Sequence, residues 1–195
     1  MDADSGPTEA EARAQLPTSL RMLVEGRDLY GSEGPAGLSM RRLANRVGVA
    51  LPELYRHYPS RDRLVSAIAA HAWFSFNHDL RRHEDLEPAR ARLNAMTQDA
   101  LDFALANPHL WQLMFARRVE ESAGSEIVLR RVAETLWSAR REEAIRGDTL
   151  PPTRYARGWL ALVFGCATLH RVGFYDDGEL RTTCMWSAGR VLGLA

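Results

Sequence analysis

The stretch from Gly37 to Leu64 constrains the fold of this chain more than any other. It combines two short helical patterns, a glycine between them and the start of a third helix, and it holds six arginines but only two acidic residues. Two short helices joined by a tight turn are typical of a helix-turn-helix, whose second helix enters the major groove of DNA. The stretch therefore predicts a DNA-binding unit.

The first helical pattern has one apolar face and one basic face. Leu43, Ala44 and Val47 recur at helical spacing, and arginines occupy the positions around them. Ser39 precedes the pattern and is a predicted N-cap, because its side chain can accept from a free backbone N–H. Gly48 follows it and can adopt the left-handed conformation that ends a helix. We predict a short helix followed by a sharp turn.

The second pattern, from Leu51 to Tyr58, has few side chains to bury. Only Leu54 and Tyr58 are placed to face a core, so the other side chains point outward. Pro52 lies in the first turn, where its missing N–H costs nothing, and Pro59 ends the helix. A helix that contributes so little to a core is expected to present its surface to a partner.

The formal net charge of the 195-residue chain is zero, but the charge is unevenly distributed. Positions 37–63 carry six arginines and two acidic residues, a net charge of +4, whereas positions 1–16 carry one arginine and four acidic residues. Positions 64–195 carry sixteen residues of each sign. Binding to nucleic acid depends on the local field, so a neutral total does not exclude DNA.

Cysteine content and hydropathy indicate the compartment. Cys166 and Cys184 are too few for a disulfide framework or a zinc site, and both are expected to be buried thiols. The longest uncharged run, Gly158 to Leu169, is too short to span a bilayer. The N-terminus is acidic and polar, without the apolar segment of a secretory signal. The sequence predicts a cytoplasmic protein that does not enter a membrane.

No pattern in the chain indicates catalysis. The histidines show no metal-binding spacing such as H-E-x-x-H, and no nucleophile is paired with a base. We therefore predict no enzymatic activity, no metal and no cofactor.

The whole chain is interpreted as helical. Residues 1–16 are expected to form a flexible acidic tail, and residues 31–37 a loop. The predicted fold is all-α with about nine helices. It has a three-helix helix-turn-helix domain at 17–63 and a second helical domain at 64–195, and no linker separates them.

Three segments, G-L-S-M-R-R-L-A, V-G-V and L-Y-R-H-Y-P-S-R-D-R-L, resemble the DNA-binding domain of the TetR (tetracycline repressor) family. The likeness runs from the first helix to the start of the fourth. One departure is Ala50, where the family usually has Ser, Thr or an acidic residue as the N-cap of the recognition helix. Losing that cap is expected to cost about 1 kcal/mol.

The resemblance implies that the start of the second helix and most of the third contact DNA. Arg41 can reach the O6 and N7 edge of guanine, Glu53 can accept from cytosine N4, and Leu51 can meet a thymine methyl. The other basic and aromatic side chains suit phosphates, which fix register. The alternative for each arginine is a solvated surface charge. The nominated residues are Ser39, Met40, Arg41, Arg42, Leu51, Pro52, Glu53, Tyr55, Arg56, His57 and Arg61.

The second half resembles the ligand-binding domain of a TetR subgroup with a W…HG signature. The likeness rests on FALANPHLWQLMF and on WLALVFG, in which Phe164 stands where the subgroup has His. It implies a pocket among helices 4 to 8 for a small, largely apolar effector. Aromatic residues at helical spacing also form ordinary cores, which is the alternative. The nominated residues are Trp73, Phe76, Met96, Phe103, Trp111, Met114, Phe115, Trp137, Trp159, Phe164, Cys166 and His170, with Asp99 and Asp102 as further polar contacts.

The resemblance also implies a function. Homodimerisation through helices 8 and 9 would place two recognition helices about 34–36 Å apart on a palindromic double-stranded operator, and an effector would release the repressor. One alternative is a protein–protein interaction module with Leu51, Tyr55 and Tyr58 as its docking face. Another is an effector-independent DNA-binding regulator, whose core would leave no cavity between helices 4 and 8.

Overall fold

The structure, a computed structural model, describes residues 13–116, 123–142 and 151–191. Over these ranges it contains nine helices and no strand, which confirms the predicted all-α fold. None of these helices is both long enough and apolar enough to cross a membrane. The helices are α1 Thr18–Gly37, α2 Met40–Val47, α3 Leu51–His57, α4 Arg61–Arg81, α5 Ala89–Ala106, α6 Pro108–Ala116, α7 Ala123–Glu142, α8 Pro152–Arg171 and α9 Asp177–Val191.

Contacts divide the described chain into two compact units. The first extends to Ala69 and the second begins at Ala70, so the division falls within α4. The first unit contains α1, α2, α3 and the first turns of α4, and the second contains the remaining helices. Residues 1–12 of the predicted acidic tail lie outside the described residues. Its next residue, Arg13, forms an ion pair with Asp28 of α1 at 2.6 Å.

The core of the first unit forms where α1 crosses α2 and α4. Gly26 of α1 permits this close approach, because a Cβ at that position would lie 3.4 Å from both Leu43 Cδ2 and Ile68 Cδ1. Burial of apolar side chains in this layer holds α1, α2 and α4 together. The buried apolar side chains are Met22, Leu29, Tyr30, Leu38, Met40, Leu43, Ala44, Val47, Leu54, Leu64, Val65, Ile68 and Ala69.

The predicted ends of α2 are confirmed. Ser39 Oγ accepts a hydrogen bond from the Arg42 backbone N–H at 3.2 Å. Gly48 has φ 76°, and its N–H donates to the carbonyl oxygens of Ala44 and Asn45. The left-handed residue reverses the chain so that α3 can begin three residues later at Leu51.

The predicted loop at residues 31–37 is wrong. The chain there is helical, and the interruption is confined to Gly34, with φ 70° and ψ −163°. Glycine tolerates this backbone conformation, and Pro35 then starts a further turn because its fixed φ suits the first position of a helix. A cluster of glycine and proline therefore marks a kink here, not an open loop.

The second unit is built around α8, which packs against α5, α7 and α9. The Trp159 Nε1–H of α8 donates to Thr97 Oγ1 of α5 at 2.8 Å, and both side chains are fully buried. This bond satisfies two polar groups that would otherwise be costly inside the core. Around it lie apolar side chains from every helix of the unit, which is the single core that the periodic apolar residues predicted.

We expect Gly48→Ala to destabilise the first unit by about 1–2 kcal/mol. A Cβ at Gly48 would meet nothing within 4 Å, so the cost is that of a left-handed backbone in a residue with a side chain. Gly48→Asn is the matched control and should cost less, because Asn tolerates this conformation. Urea denaturation followed by circular dichroism measures both. Equal stability of the wild type and Gly48→Ala would contradict the explanation.

Candidate nucleic-acid interface and interior cavity

Helix α3 is held in the first unit by very few contacts. Leu54 is its only fully buried side chain, as predicted, and Ala50 provides no side-chain cap. At its end, the Tyr58 hydroxyl donates to the Ser19 carbonyl oxygen of α1 at 3.2 Å. Partial burial raises the pKa of the Tyr58 hydroxyl above its ordinary value.

The outer surface of α3 is open to solvent. Tyr55 is 44 % exposed, and Pro52, Arg56 and His57 are exposed as well. Of the nominated residues of α3, Leu51 and Glu53 are half-buried. The helix therefore offers one aromatic and two basic side chains on its outer side, all within reach of a common partner.

The arginines of α2 differ in their surroundings. Arg41 is exposed and has no hydrogen bond or ion pair with any residue that the structure describes. Arg42 donates two hydrogen bonds to the Glu33 carboxylate and one, at 3.1 Å, to the Gly37 carbonyl oxygen. Arg46 pairs with Glu25. Only Arg41 of these three can bind a partner without breaking an intramolecular contact.

The Arg42–Glu33 pair shifts the titration of both groups. Hydrogen bonding to Arg42 lowers the pKa of the Glu33 carboxyl, and the same bond raises the pKa of Arg42. Both side chains are exposed, so water screens the pair and its contribution to stability is small. Its effect is to position the guanidinium of Arg42 beside the first turn of α2.

Two further nominated arginines have partners. Arg56 lies 3.6 Å from the Glu53 carboxylate, one turn earlier on α3. Arg61, at the start of α4, donates to the carbonyl oxygens of Pro35 at 2.6 Å and Leu38 at 3.1 Å. Arg61 therefore satisfies backbone acceptors near the end of α1. The sequence showed its charge but not this structural contact.

Met40, nominated as a DNA contact, does not present its side chain to solvent in the free protein. Its side chain is only 7 % exposed and belongs to the core of the first unit. It lies at the first position of α2, next to the exposed Ser39, and the helical turn directs it inward. The exposed surface at this point consists of Ser39 and Arg41 instead.

In the second unit, aromatic rings from α4, α5, α6 and α8 pack against one another. The ring centroids of Trp111 and Phe115 are 5.0 Å apart, and those of Phe115 and Phe164 are 4.6 Å apart. Edge-to-face and tilted pairs of this kind are favourable. Side chains nominated for an effector pocket therefore contact each other. The members of this aromatic cluster are Trp73, Phe76, Phe103, Trp111, Phe115 and Phe164.

Most other nominated pocket residues also belong to the core or to the surface. Met114 is buried, and its carbonyl oxygen accepts from Trp73 Nε1 at 3.2 Å. Met96 is buried beside Thr135, whose Oγ1 lies 3.6 Å from its Sδ. Trp159 is engaged with Thr97, as described above. These residues fit the alternative, in which aromatic and methionine side chains at helical spacing form a core.

Trp137 lies apart from the aromatic cluster, because its side chain is 50 % exposed on α7. It lines a surface groove of about 510 Å³ between α7 and the start of α8. Asp99 and Asp102, nominated as polar contacts of a pocket, form ion pairs instead. Asp99 pairs with Arg82 at 3.0 Å and His83 at 2.8 Å, and Asp102 pairs with Arg181 at 2.7 Å.

A small cavity of about 120 Å³ lies among α5, α6 and α8. Of the nominated residues, it brings together Trp111 and His170. No pattern in the sequence indicates the other polar residues of its wall, because Gln112, Thr168 and Arg171 belong to no motif. The cavity is lined by Ala104, Leu105, Pro108, Trp111, Gln112, Ala167, Thr168, His170 and Arg171.

Cys166 of α8 and Cys184 of α9 are both buried and reduced, as expected, but they are neighbours. A hydrogen bond between the two thiols lowers the pKa of Cys166 to about 7 and raises that of Cys184. Their separation of eighteen positions gave no indication of this pairing. Neither thiol belongs to a group of metal ligands, and the described residues contain no cluster of three or more such ligands.

Comparison with known proteins agrees with both units. Residues 23–68 match the family described as bacterial regulatory proteins, tetR family, and residues 93–186 match the tetracyclin repressor-like C-terminal domain. The chain belongs to the TetR family. The two matches cover the helix-turn-helix and the helices around the cavity. The predicted family is confirmed; its members are DNA-binding transcriptional regulators rather than enzymes.

Individual TetR relatives are distant. The chain is 28 % identical over 109 residues to the nucleoid occlusion factor SlmA of Aliivibrio fischeri, covering 55 % of this chain and 53 % of that protein. It is 28 % identical over 112 residues to the HTH-type transcriptional regulator Rv1816 of Mycobacterium tuberculosis, covering 56 % and 47 %. The chain thus spans about half the length of these curated relatives.

Solved structures resemble the whole chain. A protein of unknown function from Rhodococcus sp. RHA1 superposes with a TM-score of 0.72 at 25 % identity, covering 92 % of this chain and 95 % of that one. A putative TetR-family regulator from Rhodococcus sp. gives a TM-score of 0.73 at 18 % identity, covering 90 % and 98 %. At 18 % identity, the similarity to this putative regulator establishes the fold alone.

We expect Arg42→Gln to raise the pKa of Glu33 toward its ordinary value, because the main cause of its lowered pKa is the hydrogen bond from Arg42. NMR titration of the side-chain carboxyl groups measures this shift. Arg46→Gln is the control and should move the Glu33 pKa less, since Arg46 acts on it only through a weaker charge interaction. An unchanged Glu33 pKa in Arg42→Gln would contradict the described pair.

The Arg42–Glu33 pair also predicts how the stability of the protein changes with pH. A carboxyl group whose pKa is lowered by folding stabilises the native state above its unfolded pKa, and this contribution is lost as the pH falls through the folded value. The difference in stability between the wild type and Arg42→Gln should therefore shrink in acid to the part that comes from the hydrogen bond of Arg42 to the Gly37 carbonyl oxygen.

Proposed function

We propose that this TetR-family regulator binds a palindromic operator as a homodimer and represses transcription until a small effector releases it. The observation that carries the proposal is the exposure of α3, which buries Leu54 alone and turns Tyr55, Arg56 and His57 outward. A short helix of this kind, following α2 after a glycine turn, has the geometry that enters a major groove.

We propose two kinds of contact to DNA, one to base edges and one to phosphates. The free guanidinium of Arg41 is suited to a guanine edge, which would give sequence specificity. Arg56, His57 and Tyr55 are suited to phosphates, which would fix the register. Arg42 can contact a phosphate as well, but it would have to share its hydrogen bonds with Glu33. Arg61 is a weaker candidate than its charge suggests, because its guanidinium is already engaged.

Dimerisation through α8 and α9 is supported by apolar side chains that one protomer leaves exposed. They lie at the end of α8, in the turn after it and on α9, and their exposed fractions range from 39 % to 70 %. Clusters of exposed large apolar side chains mark interaction surfaces. We call this set the apolar face; its members are Leu169, Val172, Phe174 and Trp186.

Effector control would follow from differential binding. An effector shifts the protein toward a form that does not fit the operator only if it binds that form more tightly. A regulator that responds to no effector is the second candidate, and the aromatic cluster favours it because these rings occupy much of the nominated pocket. The cavity beside Trp111 favours the first candidate.

We expect Arg41→Ala to weaken operator binding about 10- to 100-fold and to relax the preference at one base pair, because it removes a direct base contact. Duplexes selected from a randomised library with the wild-type protein serve as the operator. Fluorescence anisotropy with these duplexes measures the affinity.

Arg63→Ala is the matched control for Arg41→Ala. Arg63 is also an exposed arginine of the first unit, but it lies on α4 outside the proposed contacts. Its loss should weaken all duplexes slightly and uniformly. Equal affinity of Arg41→Ala and the wild type for the selected duplex would refute the assignment of Arg41.

We expect Trp186→Arg to convert the dimer into monomers, since a charge would be buried within the apolar face. Analytical ultracentrifugation measures the change. Phe74→Arg is the matched control, because Phe74 is 65 % exposed on α4, away from α8 and α9. A dimer that survives Trp186→Arg but dissociates in Phe74→Arg would place the interface elsewhere.

A further inference from the structure

The turn between α8 and α9 holds two large apolar side chains in water. Val172 is 70 % exposed and Phe174 is 67 % exposed. The turn itself is ordered, because the Gly173 and Phe174 backbone N–H groups donate to carbonyl oxygens of α8 at 2.8 Å and 3.0 Å. The Phe174 ring also packs edge-to-face against Tyr175, with ring centroids 5.1 Å apart. Exposed apolar side chains on such a fixed turn indicate a binding surface.

The surface groove between α7 and the start of α8 is a complementary depression. Ala133 and Trp137 of α7 and Pro152 of α8 line it, so much of its lining is apolar. Its volume of about 510 Å³ is more than three times the roughly 150 Å³ of an engineered cavity that accommodates benzene. The groove is therefore large enough for the side chains of Val172 and Phe174 together.

Charge favours one orientation of the turn in such a groove. Arg157 is the charged residue that α8 contributes to the lining, and it has no hydrogen bond or ion pair with the described part of the chain. Helix α7 contributes Arg130 and two glutamates, so the basic side of the groove is that of α8. Helix α9 begins after the turn with Asp177, whose side chain is 81 % exposed although it lies 3.3 Å from His170 Nε2. An acidic residue beside the apolar turn thus matches an arginine beside the apolar groove.

The groove and the turn lie at opposite ends of α8. This helix has 20 residues and is about 30 Å long, so the turn does not reach the groove of its own protomer. The exposed side of α8 runs from Arg157 through Ala161 to Leu169, and Val172 continues it into the turn. Near its middle, a Cβ at Gly165 would meet nothing within 4 Å. In a two-fold dimer that pairs these sides, the two copies of α8 are antiparallel, and each turn lies at the groove of the other protomer.

We propose that the turn of each protomer docks in the groove of the other protomer. Phe174 and Val172 cover the exposed face of Trp137, and Asp177 lies within reach of Arg157. Because a two-fold interface is isologous, the dimer contains this contact twice. The inference rests on the proposed dimerisation through α8 and α9, and it extends that interface to α7.

Thiol cross-linking tests the contact in the full chain. Thr153 lines the groove and Val172 lies in the turn, so Thr153→Cys and Val172→Cys are combined while Phe174 and Trp137 are kept. Within one protomer the introduced thiols are separated by the length of α8, and bismaleimidoethane is far too short to span it. We expect this reagent to convert the double variant largely into a covalent dimer on a denaturing gel. Each single variant is a control and should run as a monomer, which also reports any reaction of the two buried native cysteines.

A double-mutant cycle tests whether the docked side chains stabilise the dimer. We expect Trp137→Ala and Phe174→Ala each to weaken the dimer about tenfold, as truncated anchors of an interface do. The double variant should be little weaker than either single variant, because both substitutions remove the same contact. Trp186→Ala is the matched control, since Trp186 belongs to the apolar face but lies further along α9, and its effect should add to that of Trp137→Ala. Sedimentation equilibrium measures each dissociation constant, and circular dichroism checks the fold.

Two results would overturn the docking while leaving the dimer in place. One is a double cysteine variant that sediments as a dimer but does not cross-link. The other is full additivity of Trp137→Ala and Phe174→Ala. A wild type that stays monomeric at micromolar concentrations and on duplex DNA overturns the proposed dimerisation and the docking with it. A dimer that cross-links but binds no duplex supports the docking and overturns the proposed function.

Discussion

The position of α3 depends on one buried side chain and on the turn that precedes it. Leu54 is the only fully buried residue of this helix, and no side chain caps its N-terminus. Gly48 sets the direction in which α3 leaves α2, and the Tyr58 hydroxyl ties its other end to Ser19. These few contacts leave four of the seven side chains of α3 exposed, and the rest of the first unit sets the orientation of the helix.

Fewer arginines of the first unit are available to a partner than their number suggests, because several already have partners within the protein. Glu33 and Glu25 of α1 hold Arg42 and Arg46, and backbone carbonyls hold Arg61. Pairs of this kind reduce the positive field that a distant phosphate meets. Arg41 has no such partner among the described residues, so local contacts divide one basic segment into arginines that are paired within the protein and one that is not.

The sequence predicted most of this first unit because its signals are local. A capping serine and a left-handed glycine act within a few residues, and the apolar spacing of α2 fixed its inner face. The second unit was harder, since its site depends on contacts between distant residues. Trp111 and Phe164 meet in the fold, as do Cys166 and Cys184, but neither pair leaves a pattern in the sequence. The burial of Met40 and the exposure of Trp137 were not foreseen, because periodicity gives the spacing of an apolar stripe but not how far it extends around the helix.

Arg61 joins two parts of the chain that the sequence separates by more than twenty residues. Its Nε and Nη2 reach two carbonyl oxygens on either side of Gly37, just beyond the kink at Gly34. A lysine carries a single nitrogen on a flexible stem and cannot reproduce this planar two-point contact. A change of Arg61 that keeps only the charge would therefore lose this contact, which connects the end of the first helix to the beginning of the fourth.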